Sequence, residues 1–192
     1  ADFVVNNTYD EAGSCPEFCS LRQAILEANA HEGRDTITFE IPTSDPGYDA
    51  EAGQWVLTLQ DPLPSLADPD SLLIDATPLG PGDCSSYFVI DATGVPYGLE
   101  ITGANKTLIG LVIRNAQNHG LYIHGTGAKN NQLTCSYVVY NNGDGIQISD
   151  GAASNTIGSG TASEPNVIGY NGGDGIEINN AANNTLVNNH IG

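Results

Sequence analysis

Carboxylates and histidines in glycine-rich turns are the residues of this chain that could do chemistry. Glycoside hydrolysis needs two or three carboxylates converging on one face, with a basic residue to orient the sugar. One histidine stands in the turn Asn118-His119-Gly120, but no two Asp residues are adjacent in the chain and no Arg-x-Lys follows. The pattern predicts no catalytic residues, and the chain is not expected to be an enzyme.

Basic side chains would be needed by a polysaccharide lyase, which uses Arg or Lys beside the carboxylate of its substrate. Lys106, Arg114 and Lys129 are the candidates in the second half of the chain. Arg114 is interpreted as a lone surface arginine that interrupts an acidic face. Arg22 stands in a predicted helix, where we expect it to tether a carboxylate or a backbone carbonyl group.

The histidine spacing does not favour metal binding. His119 and His124 are five residues apart across a turn, which does not make a ligand cluster. His190 aligns with Tyr137 and Val112 of earlier repeats, so packing is the preferred interpretation for it. No metal and no cofactor is predicted.

Two acidic turns, Gly143-Asp144-Gly145 and Gly173-Asp174-Gly175, could offer oxygen ligands to calcium. They resemble superficially the calcium-binding β-roll, which needs tandem nonapeptide repeats. Here the turns are 30 residues apart, and Glu177 replaces the Asp that the β-roll would require. A stacked Asp-Gly turn is therefore the favoured interpretation.

The four cysteines are candidates for disulfide bonds. Cys15 and Cys19 share the loop S-C-P-E-F-C-S, and such a pair can close a small loop when the Cα atoms come within ~4.4–6.8 Å. Cys84 and Cys135 are expected to form a second disulfide. A buried thiol at Cys135 stays open as the alternative.

The charge balance excludes several partners. The chain has 23 acidic and 5 basic residues and a formal net charge of −18, so its surface repels nucleic acid, anionic lipid and acidic polysaccharides. No apolar stretch approaches the ~20 residues of a transmembrane helix, so no membrane insertion is expected. The start Ala-Asp-Phe-Val-Val fits a mature chain after removal of a signal peptide, which predicts a secreted or cell-surface protein.

A repeated unit must position these residues. Each copy is a glycine turn followed by an apolar-x-apolar strand. The copies, at intervals of 22, 25 and 30 residues, are Gly98-Leu99-Glu100-Ile101, Gly120-Leu121-Tyr122-Ile123, Gly145-Ile146-Gln147-Ile148 and Gly175-Ile176-Glu177-Ile178. A second strand is predicted after them, at Leu108–Ile113, Leu133–Val138 and Leu186–Ile191. In the third copy an inserted loop, S-G-T-A-S-E-P, separates Ile157 from Ile168.

Repeats of this length without helical periodicity predict an all-β fold, a right-handed parallel β-helix in which each coil stacks ~4.8 Å above the last. Inward Leu, Ile and Val are expected to form continuous columns. Asparagines at equivalent turn positions are expected to stack as a hydrogen-bonded ladder. The members of that ladder would be Asn105, Asn130 or Asn131, Asn155 and Asn184.

The first part of the chain is predicted to close one end of this solenoid. Residues 1–35 would form an N-terminal strand, a cysteine loop and a capping α-helix over Leu21–Asn29, with Ser20 as its N-cap and Gly33 as its end. Residues 36–192 would form one continuous domain of coils, irregular over 36–97 and regular over 98–192. Early strands are predicted at Thr36–Ile41, Trp55–Leu59, Leu72–Ile74 and Tyr87–Ile90.

Two stretches carry a resemblance to known proteins. The string from Cys19 to Ile25, C-S-L-R-Q-A-I, resembles the C-S-L-R-E-A module of exported bacterial proteins, with Gln23 in place of the usual Glu. The stretch from Asn155 to Ile176 is similar to the repeats of right-handed β-helix surface proteins of the pectate-lyase-like superfold. The resemblance implies a β-helix and export. Members include adhesins, surface-layer or stalk parts and some carbohydrate-active domains, so function stays open.

The sequence therefore predicts a non-catalytic extracellular structural or adhesive protein. The alternative is a carbohydrate-binding or polysaccharide-degrading β-helix, a lyase or glycoside hydrolase, with a groove beside Tyr122, His124 and Tyr137. The repeat runs in register to Ile191-Gly192 without a capping pattern. Two explanations stay open, a longer natural chain and head-to-tail association of copies into a filament.

Overall fold

The protein, described by a computed structural model over residues 1–68, 70–82, 84–161 and 164–192, consists mostly of short strands. The first sheet contains β1 (Asp2–Val5), β2 (Asp35–Phe39), β5 (Leu72–Asp75), β8 (Lys106–Ile109), β11 (Gln132–Thr134), β14 (Thr156–Gly158) and β17 (Thr185–Val187). The second contains β7 (Tyr97–Ile101), β10 (His119–His124), β13 (Ile146–Ser149) and β16 (Ile176–Asn179). The third contains β3 (Tyr48–Asp49), β4 (Gln54–Thr58), β6 (Phe88–Asp91), β9 (Leu111–Arg114), β12 (Tyr137–Val139), β15 (Asn166–Gly169) and β18 (Asn189–Ile191).

Successive strands of the chain belong to the three sheets in turn. From β5 onward, each strand pairs in parallel with the strand three positions later, as β7 does with β10 and β10 with β13. Among the described residues, the pairing of β3 with β4 is the one antiparallel pairing between strands. The prediction of an all-β fold of parallel sheets is confirmed, and the predicted early strands are present as β2, β4, β5 and β6.

Apolar side chains on the inward faces form the core. In a strand, alternate side chains point to opposite faces, so in-register parallel pairing stacks like residues above one another. The first sheet shows such a column, whose members between the first and last strands are at most 1% exposed: Ile37, Ile74, Leu108, Leu133 and Ile157.

The long second strand predicted for each repeat is wrong, because each of these stretches bends into two strands of different sheets. The bend falls at Gly110, Cys135 and Asn188, which have φ of 76°, 56° and 50°. A residue in this left-handed region cannot continue an extended strand. Leu108–Ile113, Leu133–Val138 and Leu186–Ile191 are therefore divided between the first and third sheets, and each turn of the chain contributes three strands.

The asparagine ladder exists but begins one residue later than predicted. Asn131 Nδ2 donates to Asn155 Oδ1 at 2.9 Å, and Asn155 Nδ2 donates to Asn184 Oδ1 at 3.1 Å. Asn105 is not a member, because it has a left-handed φ of 60° just before the ladder position. Lys106 takes the first rung, and its backbone N–H donates to Asn131 Oδ1 at 2.8 Å.

One α-helix, α1 (Leu21–Ala30), lies within the described ranges, together with a 3-10 turn at Thr77–Leu79. The Ser20 side chain accepts a hydrogen bond from the Gln23 backbone N–H, as expected of an N-cap. The helix ends at Ala30 with His31 as C-cap, so it does not extend to Gly33. Its buried face, which contains Leu21, Ala24, Ile25 and Ala28, packs against β1 and β2.

Two disulfides and one arginine hold the irregular first part of the chain. Cys15 is bonded to Cys19, and Cys84 is bonded to Cys135. The Arg22 guanidinium forms a two-point ion pair with Asp10 and donates to the backbone oxygens of Asp61 and Pro62, which is the tethering role expected of it.

Two predicted loops lie partly outside the described residues. The inserted loop over 159–165 includes residues 162 and 163, and the loop P-G-D-C-S-S over 81–86 includes residue 83. The strands that flank the inserted loop, β14 and β15, belong to different sheets. The proposed division of the chain at residue 35 stays a prediction.

Candidate functional site

Four rings form a row on the outer face of the four-stranded sheet: Tyr97 from β7 and His119, Tyr122 and His124 from β10. Tyr97 and His119 are direct cross-strand partners, and their rings are 6.0 Å apart with an interplanar angle of 8°. Tyr122 lies 4.8 Å from Tyr97 and 4.1 Å from His124 between ring centroids. We call these four residues the ring row.

The rings of this row cover one another's faces. The Tyr122 and His124 rings are nearly parallel at 13°, and so are those of Tyr97 and His119. Ring contacts at these centroid distances cover part of each ring face. The ring row therefore has less open ring face than an aromatic platform has.

Carboxylates pair with both histidines. His124 Nε2 lies 2.8 Å from Glu100 Oε1, a contact that joins β10 to β7. His119 Nδ1 lies 3.1 Å from Asp144 Oδ2 and also accepts a hydrogen bond from the Asp144 backbone N–H at 3.3 Å. Each imidazole is thereby held by a residue of a neighbouring strand or turn.

Tyr122 is embedded in a small hydrogen-bond network. Its hydroxyl lies 3.3 Å from Asp150 Oδ2 and 3.4 Å from the Ser149 hydroxyl. The Ser149 hydrogen bond favours the phenolate, but burial, the Asp150 carboxylate and Tyr97 outweigh it, so the pKa of Tyr122 is raised. Tyr122 therefore stays a neutral hydroxyl donor and acceptor at physiological pH.

The structure divides the predicted groove. Tyr122 and His124 belong to the ring row on the second sheet, whereas Tyr137 lies in β12 of the third sheet. His190 pairs with Val167 in the column expected for it, and it is exposed on β18, the last strand of its sheet, so its packing stays a prediction.

The acidic turns stack on each other. Asp144 Oδ1 accepts the backbone N–H of Asp174 at 2.7 Å, while Asp144 Oδ2 faces His119. Within residues 1–68, 70–82, 84–161 and 164–192, no three His, Cys, Asp or Glu side chains are grouped closely enough to hold a metal ion. The Asp144 carboxylate thus ties three successive coils together.

The basic candidates have separate surroundings. Lys106 is completely buried, and its Nζ donates to the backbone oxygens of Asp68 and Asp70. Burial lowers the pKa of Lys106, and the nearby aspartates oppose that effect. Arg114 pairs with Asp91 at 3.1 Å on the third sheet, and Lys129 is exposed. The structure does not bring the three together.

Sequence reasoning missed Tyr97 and Glu100 as members of this site. Tyr97 stands before the glycine that starts the repeat, where no periodic signal marks it. Glu100 occupies the repeat position of Tyr122, and its partner His124 lies two residues further along the next coil. Because alternate residues share a strand face, this diagonal pair could have been found from the register.

Comparison with known proteins identifies no relative: no protein-family model, no curated protein and no solved structure matches the chain. The two disulfides indicate an oxidising environment, since thiols stay reduced in the cytosol of most organisms. No helix in the described ranges is long and apolar enough to span a membrane.

Proposed function

We propose that the chain is a non-catalytic, extracellular structural protein, built as a right-handed parallel β-helix of the exported C-S-L-R-E-A kind. The rotation of successive strands through three parallel sheets supports the β-helix. The disulfides support an extracellular location, and the C-S-L-R-Q-A-I string supports membership of the exported group.

The observation that carries the structural role is that candidate acids and bases are paired across coils. Glu100 pairs with His124, Asp144 with His119, and Asp91 with Arg114, each across a sequence separation of 23 to 25 residues. Each of these groups is thus already engaged by a residue of a neighbouring strand or turn. These pairs join neighbouring coils, so their first effect is cohesion of the stack.

A test for catalysis is incubation of the purified protein with a panel of neutral and acidic glycans. Reducing-end assays detect hydrolysis, and absorbance of unsaturated products detects lyase activity. We expect no turnover above that of a Glu100→Gln, Asp144→Asn double variant prepared in the same way. Turnover of any glycan that the double variant has lost would refute the non-catalytic proposal.

A second candidate function, carbohydrate binding, is favoured by the ring row. Its exposed edges offer hydroxyl, imidazole and carboxylate groups that can bond to sugar hydroxyls. Glycan arrays and calorimetry would test it with Tyr122→Phe, which removes the hydroxyl but keeps the ring. Tyr170→Phe, at an exposed tyrosine in the turn after β15, is the matched control. Glycan binding that is unaffected by Tyr122→Phe would exclude the ring row.

End-to-end association is a further part of the proposed structural role. The last strands of the three sheets have one unpaired edge each, and Ile178, Leu186 and Ile191 are 41–54% exposed there. Further coils of a longer chain or the N-terminal region of a second copy would cover these groups in the same way. Electron microscopy across a concentration series tests association, and monodisperse single particles throughout would refute it.

A further inference from the structure

A cavity of about 290 Å³ lies on the outer face of the third sheet, away from the ring row. Its floor contains Val112 and Val139, which are outward-facing yet only 8% exposed. Tyr137 and Tyr140 line it from β12 and the turn after it, and Gln54 of β4 and Ser85 line its edge.

The register of β9 and β12 explains the arrangement. Val112 is the direct cross-strand partner of Tyr137, and Arg114 is that of Val139. Two apolar residues, one aromatic residue and one cation therefore occupy the corners of a single square of sheet. Tyr140 follows with a left-handed φ of 58°, which turns its ring out of the sheet plane beside the square.

Arg114 supplies an oriented positive charge to this cavity. Its Nε donates to Asp91 Oδ2 at 3.1 Å, and its two Nη groups have no hydrogen-bond acceptor among the residues with described structure. Asp91 also accepts hydrogen bonds from the Thr93 backbone N–H, the Thr93 hydroxyl and Asn115 Nδ2. Burial raises the pKa of Asp91, but these hydrogen bonds and Arg114 outweigh it, so the pKa is lowered and the carboxylate stays ionised.

We propose that this cavity binds a small monocarboxylate whose body is an aromatic ring. The guanidinium group can donate two parallel hydrogen bonds to the oxygens of a carboxylate. Because Nε is bonded to Asp91, the two Nη groups of Arg114 would donate to the ligand. The valine floor and the tyrosine rings suit a flat apolar body. The volume, just below the lower end of ~300 Å³ for ordinary ligand cavities, limits that body to about one ring.

The carboxylate of a sugar acid could also pair with Arg114, but its polar ring does not match the apolar surface of Val112 and Val139. Those of its hydroxyl groups that lie over Val112 and Val139 would lose water without gaining a hydrogen bond, although Gln54 and Ser85 offer polar groups at the edge of the cavity. A polyanion would also be repelled by the net charge of −18. A single carboxylate is less affected, because salt screens distant charges beyond ~8 Å at physiological ionic strength.

The test uses benzoate as probe, with benzamide as its uncharged isostere and glucuronate as an acidic sugar. Binding is followed by amide chemical shifts of the isotopically labelled protein. We expect benzoate shifts confined to β9, β12 and the turn at Tyr140, and at least tenfold weaker binding of both other compounds. Equal binding of benzamide, stronger binding of glucuronate, or shifts elsewhere would each overturn the proposal.

Three variants separate the cavity from general effects. Arg114→Gln should abolish benzoate binding, and Arg34→Gln, at an exposed arginine, should leave it unchanged. Tyr140→Ser keeps the Arg114–Asp91 pair but removes a wall at a 55% exposed position, so it should weaken binding at least tenfold without unfolding the protein. Undiminished binding by Tyr140→Ser would place the ligand outside this cavity.

Discussion

Lys106 Nζ donates a hydrogen bond to the backbone oxygen of Asp68 at 2.6 Å, across 38 residues of sequence. A second bond from the same nitrogen reaches the backbone oxygen of Asp70 at 2.5 Å. Lys106 thus joins the first rung of the asparagine ladder to the segment that leads into β5. A buried ammonium is tolerated there because backbone oxygens replace its water.

Replacement of Lys106 by Met should destabilise the protein by about 1–3 kcal/mol, because two buried carbonyl groups would lose their donor. Lys129→Met removes the same charge at an exposed position and should have little effect. Urea unfolding of the two variants and the parent measures the difference. Equal unfolding midpoints would mean that the Lys106 bonds contribute nothing to stability.

The pH dependence of that difference follows from the lowered pKa of Lys106. Between the folded-state pKa and the unfolded value of about 10.4, the unfolded chain binds more protons, so stability increases with pH in that window. The parent should therefore gain stability relative to Lys106→Met as pH rises from neutral towards about 10. A falling difference over this range would contradict the direction of the shift.

Asn155→Ala should cost about 2–4 kcal/mol, since Asn155 is fully buried and its amide bonds to both neighbouring rungs and to the Ala128 carbonyl. The matched control is Asn118→Ala, at an exposed asparagine outside the ladder. Thermal unfolding compares them. Equal melting temperatures of Asn155→Ala and Asn118→Ala would show that the stacked amides add no net stability.

The double variant Leu21→Asp, Ile25→Asp should aggregate or fail to fold. Both side chains are buried against β1 and β2, and loss of one buried aliphatic side chain alone costs ~2–5 kcal/mol. Leu26→Asp, on the exposed face of the same helix, should fold normally. Size-exclusion chromatography and circular dichroism distinguish the two, and a monomeric, folded double variant would disprove the capping role.

The two disulfides should contribute unequally. The chain-entropy model gives about 4 kcal/mol for the loop between Cys84 and Cys135 and about 2 kcal/mol for that between Cys15 and Cys19. Paired Cys→Ser variants of each bond, unfolded in urea, should show this order. Intact-mass analysis without reductant should detect no free thiol, and alkylation of four thiols would refute both bonds.

The parallel sheets were predictable because an apolar-x-apolar unit recurs with a glycine before each copy. Residues at equivalent positions of successive units are direct cross-strand partners in the second sheet. The bend between the first and third sheets was not, because its left-handed residue is glycine only at Gly110 and is Cys135 and Asn188 elsewhere. A left-handed cysteine carries no local sequence signal, and here its disulfide bond adds a tertiary constraint on the bend.

Only the first rung of the ladder was placed one residue too early, at Asn105, for a related reason. Left-handed φ is adopted by Asn105, Asn130, Ser154 and Asn183. The residue that follows provides the inward amide at Asn131, Asn155 and Asn184, but an ammonium at Lys106. Two further amide pairs, Asn141 with Asn171 and Asn166 with Asn189, went unpredicted. The first repeats the 30-residue interval of the glycine turns, so the sequence contained its signal.

In-register stacking also bears on how such a chain changes length. Leu99, Leu121 and Ile146 occupy one column, and so do the glycines before them. Deletion of the segment from Gly120 to Asp144 would allow β13 to pair directly with β7. Ile146 would then occupy the core position of Leu121. Tandem duplication of the same segment would add a coil without a new core. A gene encoding this protein could therefore grow or shrink by whole repeat units through unequal recombination, whereas residues inserted within one unit would extend from the sheets as a loop.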